Sequence, residues 1–245
     1  MNKKVNRRNS PGSQRLLPML LGAVVVILII ALVYLATNNQ ANKTSELDNL
    51  PNYTDVKGTF VVDGLKYEKQ PHLGSKDARV KVIEFADFKC PACKKWTAAY
   101  LDKFIQDYVD TGKAELFFMN FAFIDRDSYL AASAGEAIYK QSNEKFWEYV
   151  HKLYEHQGDE STIWATQKFI LNFVKDNIEG LDYDQFQQDI TKHTYMYDVK
   201  EDFKIAGAYG VNGTPKFMVN GELLPDSSYE GLTSAIEAAL AETAQ

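Results

Sequence analysis

Apolar residues fall along this chain in three patterns, and each predicts a different kind of element. The longest run, residues 16–36, reads LLPMLLGAVVVILIIALVYLA without a charged side chain. At about 1.5 Å per helical residue it matches the roughly 30 Å of bilayer hydrocarbon, which predicts a transmembrane helix. Two shorter runs, 79–85 (RVKVIEF) and 114–123 (AELFFMNFAF), are rich in β-branched and aromatic residues and predict strands covered on both faces. Between them Trp96, Tyr100, Phe104 and Tyr108, with Leu101 and Ile105 beside them, recur at helical spacing over 91–109, and Thr111-Gly112 closes that helix. Strand, helix and strand form one unit, expected to be parallel and right-handed.

Residues 128–210 carry no strand-like run. Their apolar positions form helical stripes: Phe146, Trp147, Val150, Leu153 and Tyr154; Phe169, Ile170, Phe173 and Val174; Tyr183, Phe186 and Ile190. This is expected to be an inserted all-helical subdomain. The chain then passes Gly213-Thr214-Pro215 into a strand at 216–219, turns at Asn220-Gly221 and returns in a short antiparallel strand at 222–224. Ser227 with Glu230 makes a capping-box pattern ahead of a closing helix that carries Leu232, Ile236 and Leu240. Residues 37–52 are polar, with too few large apolar groups to offset the entropy of ordering, and predict a linker. The expected organisation is a basic tail (1–15), an anchor (16–36), the linker (37–52) and one α/β domain (53–245).

Charge orients this arrangement. Lys3, Lys4, Arg7, Arg8 and Arg15 precede the apolar run, while Lys43 follows it among Glu46 and Asp48, so the positive-inside rule puts the amino terminus in the cytoplasm and the bulk of the chain outside. A cleaved signal peptide is the alternative; bulky Tyr34 at the −3 place of the nearest cleavage position, and the length of the run, favour a retained anchor. The net charge of −6 comprises +5 in the tail and −11 beyond the anchor, which argues against a nucleic-acid partner.

The chain has two cysteines, Cys90 and Cys93, three positions apart where the first strand hands over to the helix. Residues at i and i+3 of a first helical turn lie within disulfide reach, and the unpartnered N–H groups at a helix start stabilise an anion. Cys90 is therefore expected to be the low-pKa thiolate and Cys93, one turn in, the resolving thiol. Pro91 suits the first helical position, where its missing N–H costs nothing. A structural disulfide is the competing reading, but a loop this short contributes only about 2 kcal/mol. Half of a zinc site is another, but His72, His151, His156 and His193 lack paired ligand spacing, so no metal is expected.

Glu84, near the end of the first central strand, has two open readings. It lies beneath Cys93, where a raised carboxyl pKa would let it move a proton, or it faces solvent or pairs with Lys81 or Lys89. Lys89, Lys94 and Lys95 surround the pair and read as solvated charges. A cis Thr214-Pro215 step would offer backbone to an extended substrate, although most such steps are trans turns. Trp96, Trp147 and Trp164 read as core.

The segments VIEFADFKCPACKKW (82–96) and YGVNGTPKFMVNG (209–221) resemble the DsbA-like branch of the thioredoxin superfamily, and especially the anchored Gram-positive group often called BdbD. The likeness runs from about Gly58 to the carboxyl terminus. It implies a thioredoxin fold, a central mixed sheet flanked by helices, with the helical insertion. It also implies that Cys90 is the nucleophile, Cys93 the resolving cysteine and Glu84 a buried carboxylate beneath them, with Pro215 a cis-proline facing the disulfide and Thr214 docking substrate backbone. No cofactor beyond the Cys90–Cys93 disulfide is implied; reduced exported proteins would be substrates and a membrane quinone-linked partner would restore the disulfide. Many strongly oxidising members have histidine after the motif proline, where this chain has Ala92, which offers the thiolate neither charge nor hydrogen bond. A reductase or isomerase, or an anchored chaperone without catalysis, are the alternatives to an oxidase.

Overall fold

The computed structural model describes residues 24–38, 47 and 49–242. The chain divides after Asp48 into two compact units. In the first, residues 24–38 are helical with exposed apolar side chains from Val24 to Leu35. No helix among the described residues is long and apolar enough to cross a membrane. The predicted basic tail, the first part of the predicted anchor (16–23) and most of the predicted linker lie outside the described residues.

The second unit begins at Asn49, ahead of the boundary expected at 53. Leu50 and Pro51 are buried, and the Arg126 guanidinium donates to both of their carbonyls. Two apolar residues and one arginine thus order the end of a segment whose average composition reads as linker.

A 3-10 turn (Tyr67–Lys69) leads into β1 (His72–Leu73), then β2 (Val80–Ala86), β3 (Ala114–Asn120), β4 (Lys216–Val219) and β5 (Glu222–Leu223), in the order β1-β3-β2-β4-β5. β2 and β3 run parallel and the other neighbours antiparallel. β2 and β3 are apolar almost throughout because both faces of the central sheet are covered. On one face Ile83, Phe85, Phe117, Met119 and Met218 pack with Ile205 and Val211. On the other, Glu84 stands in register between Phe118 of β3 and Phe217 of β4. The turn from β4 to β5 has Asn220 at φ 49° and Gly221 at φ 91°, as an Asn-Gly hairpin requires.

Between β2 and β3 the chain is helical over 91–109: α1 (Pro91–Trp96) continues through a π segment (Thr97–Leu101), a short α turn (Asp102–Phe104) and a second π segment (Ile105–Val109). The wider turns shift the buried stripe to Cys93, Thr97, Leu101, Phe104 and Tyr108, leaving Tyr100 40% exposed where uniform α spacing would bury it. The strand-free stretch is five helices: α2 (Arg126–Gln141), α3 (Asn143–Glu155), α4 (Gln167–Asn177), α5 (Tyr183–Lys192) and α6 (Met196–Ala208). The Asn120 amide at the end of β3 donates to Glu136 of α2 at 2.8 Å and to Asp202 of α6 at 3.2 Å, tying these helices to the sheet. The closing helix, α7 (Tyr229–Glu242), is capped by Ser228, whose hydroxyl accepts the Gly231 N–H at 3.0 Å, and not by Ser227 as the capping-box pattern suggests. Ser227 instead donates its hydroxyl to the Pro215 carbonyl.

Candidate active site

The end of β2 delivers a tightly fixed segment to the start of α1. Asp87 is buried, and its carboxylate accepts the backbone N–H groups of Lys89 (2.8 Å), Phe123 (2.9 Å) and Ile124 (3.1 Å). Its carbonyl accepts the Cys90 N–H at 2.9 Å. This turn leaves Cys90 at the N-cap of α1 in extended backbone (φ −73°, ψ 117°), with Pro91 as the first helical residue.

The Cys90 sulfur accepts the Cys93 backbone N–H at 3.3 Å and lies 3.3 Å from the Thr214 carbonyl, to which its thiol donates. Both cysteines are free thiols, and Thr214-Pro215 is cis. Cys90 keeps 5% exposure and Cys93 has none, so an attacking sulfur has access to Cys90 alone. The Cys90 thiol is lowered from an ordinary 9.0 to about 6, first by its hydrogen bond with the Cys93 thiol, against burial, with help from Thr214 and from the Cys93 and Ala92 backbone N–H groups. The Cys93 thiol is raised well above its ordinary value by burial, then by the hydrogen bond and charge of Cys90. The Ala92 side chain is exposed, so what residue 92 contributes to the anion is its backbone N–H.

Glu84 takes the buried one of its two readings. It is 1% exposed, and neither lysine considered as its partner pairs with it: Lys81 binds Glu115 at 2.6 Å and Lys89 binds Asp127 at 2.7 Å. Its Oε1 has no hydrogen-bond partner. Burial, and then the negative charge of Cys90, raise its carboxyl from 4.5 to about 8, so it holds a proton at neutral pH. The charges of Glu84, Cys90 and Cys93 act on one another, which makes the three a single acid-base cluster.

Lys89 departs from expectation. It reads as a solvated charge in sequence but is fully buried, ion-paired with equally buried Asp127 and donating to the Thr162 carbonyl at 2.9 Å. Lys94 and Lys95, in contrast, keep contact with solvent, and Trp164 is half-buried while Trp96 and Trp147 are core. Three further residues that the sequence does not mark out as part of a site reach this segment from the helical layer. The Tyr154 hydroxyl donates to the Asp87 carbonyl at 3.3 Å, and Gln157 donates to the carbonyls of Phe88 (2.8 Å) and Cys90 (3.0 Å). Asp127 accepts from the Lys89 ammonium and from the N–H groups of Trp164 (2.9 Å) and Ala165 (3.1 Å). Among the described residues no group of three or more His, Cys, Asp or Glu side chains is placed to hold a metal.

Comparison with known proteins identifies the family. The thioredoxin family model matches residues 66–238. The probable disulfide bond formation protein D of Bacillus anthracis is 37% identical over 214 residues, covering 87% of this chain and 90% of that protein. Disulfide bond formation protein D of Bacillus subtilis is 30% identical over 169 residues, covering 69% and 76%. The crystal structure of oxidised BdbD from Bacillus subtilis superimposes with a TM-score of 0.68 at 29% identity, over 75% of this chain and all of that one. Chlamydia trachomatis DsbA shares the fold, with a TM-score of 0.67 at 21% identity over 78% of this chain and all of that one. The chain belongs to the thioredoxin family, in its DsbA-like branch, and is a protein thiol-disulfide oxidoreductase.

Proposed function

We propose that the protein works as an oxidase, passing the Cys90–Cys93 disulfide to reduced exported proteins from an anchored position outside the cytoplasm. The observation that carries this reading is the Cys90 sulfur at a helix N-cap, with Cys93 buried behind it. A thiolate stabilised there favours the reduced enzyme, and an oxidoreductase whose reduced form is favoured is the stronger oxidant. The Cys93 thiol first, then Thr214 and the backbone amides at 93 and 92, supply that stabilisation without a histidine after the proline.

In the proposed cycle a client thiolate attacks Cys90 of the enzyme disulfide. The sulfur–sulfur bond breaks, a client–Cys90 bond forms and Cys93 leaves with the electron pair. Cys93 is poorly suited to remain an anion, and Glu84, carrying a proton at neutral pH, supplies it. A second client thiolate then attacks the client sulfur of the mixed disulfide and expels Cys90 as a stable thiolate. The client loses two electrons and the enzyme gains them. Thr214, whose carbonyl faces the Cys90 sulfur, and Pro215 would hold the client backbone beside the reacting sulfurs. A membrane quinone-linked oxidase is the class of partner that would remove the two electrons.

The anchored location rests on the uncharged run at 16–36, the basic residues before it and the exposed apolar helix over its described part. Equilibration with glutathione buffers, followed by addition of a reduced unfolded protein, tests the direction. The expected potential is well above the roughly −270 mV of thioredoxin, with rapid disulfide formation in the added protein. A potential near that of thioredoxin would make the protein a reductase.

A further inference from the structure

The loop between α3 and α4 is fastened to the cysteine segment at two points, and neither fastening involves a sulfur. Gln157, immediately beyond α3, uses both hydrogens of its amide: one reaches the Phe88 carbonyl at 2.8 Å and the other the Cys90 carbonyl at 3.0 Å. The same Cys90 carbonyl accepts the first helical N–H, from Lys94, at 3.2 Å. From the other side Lys89 reaches over to the Thr162 carbonyl, while Asp127 gathers the backbone of Trp164 and Ala165. Backbone on both sides of Lys89 is thereby held by a loop outside the thioredoxin core.

We propose that Gln157 is a positioning residue for the thiol-disulfide reaction, holding the Cys90 peptide so that its sulfur stays aligned with the N–H groups at the start of α1. Cys90 is an N-cap, whose backbone is extended while its carbonyl already belongs to the helix; rotation about its ψ swings that carbonyl and changes where Cβ aims the sulfur. Lys94 holds the carbonyl with one hydrogen bond at 3.2 Å. Gln157 adds a second from a fixed support, since its own backbone N–H is bonded to the Tyr154 carbonyl at 3.2 Å. Its amide also directs a partial positive charge at the peptide that carries the thiolate. The Gln157 amide bonds to the Phe88 and Cys90 carbonyls and not to a sulfur, so it acts through the Cys90 backbone. This inference rests on Cys90 being the reactive thiolate.

The test is the pH dependence of iodoacetamide alkylation of the reduced full-length protein, for wild type, Gln157→Ala, the isosteric Gln157→Glu and Cys90→Ser. Glutamate keeps the shape but brings an anion and loses the paired donors. Wild type is expected to inflect near pH 6 and Cys90→Ser to remain unlabelled at that inflection. Both Gln157 variants are expected to inflect about one unit higher, so that the ratio of the rate at pH 9 to that at pH 5 rises about tenfold. A residue that only braced the fold would change the melting temperature and leave this ratio alone. If wild type inflects near 6 and whichever Gln157 variant folds does the same, the positioning role is wrong. If wild type itself behaves as an ordinary thiol, the reading of Cys90 beneath it has failed instead.

Discussion

Cys90→Ser reduces disulfide transfer to reduced client proteins to the uncatalysed rate, whereas Cys93→Ala leaves a protein that accumulates covalent client complexes through Cys90. The asymmetry follows from burial. Cys90 is the sulfur a client can reach, and Cys93 lies fully enclosed behind it, available only to its neighbour. A mixed disulfide at Cys90 that lacks Cys93 has no internal thiol to release it. Non-reducing gel electrophoresis after mixing with a client that carries a disulfide or an activated thiol separates the outcomes. A ladder of adducts that dithiothreitol collapses is expected for Cys93→Ala, and none for Cys90→Ser. Full activity in Cys90→Ser would instead make the protein a binding module that carries the pair as a relic.

Lys89→Met lowers the unfolding free energy by about 3–5 kcal/mol, the usual cost of leaving one member of a fully buried ion pair without its partner. Lys89 and Asp127 are both completely enclosed and 2.7 Å apart, so the remaining carboxylate has no solvent to turn to. Urea unfolding of the reduced protein measures the loss. Replacing both partners, Lys89→Met with Asp127→Asn, is expected to recover part of it, because asparagine still accepts from Trp164 and Ala165 without carrying a buried charge. A loss below about 1 kcal/mol for Lys89→Met would place the pair among exposed bridges of little energetic weight.

Much of the architecture is legible in sequence because the buried parts are written in continuous apolar runs. Strands β2 and β4 and the helical stretch between β3 and β4 fall where periodicity puts them, while β3 starts at the predicted Ala114 but ends at Asn120, three residues before the predicted 123. What escapes has a physical reason in each case. β1 is two residues held by pairing with β3, too short for any period to register. The π segments shift Tyr100 outward by widening the turn, which residue identity does not signal. Lys89 is a charge made compatible with burial by a partner thirty-eight positions away, and only the tertiary fold brings Asp127 to it. At the site, the spacing and helix start single out Cys90 and Cys93, but the same spacing is silent about Tyr154 and Gln157. Those two act on backbone carbonyls, which every residue has, so no side-chain pattern near the cysteines announces them.

The electrostatic account also fixes a pH dependence. The Cys90 pKa is depressed in the folded reduced protein, so its contribution to stability is fully present above the ordinary value of 9.0 and is lost as pH falls through about 6. Reduced protein should therefore gain stability relative to oxidised protein as pH rises across that interval. The most direct measurement is a titration of thiolate ultraviolet absorbance in reduced wild type, with Cys90→Ser subtracted. The account predicts an inflection near pH 6, assigned to Cys90, and no second thiolate until strongly alkaline pH. An inflection near the ordinary thiol value, or two cysteines titrating together, would contradict it.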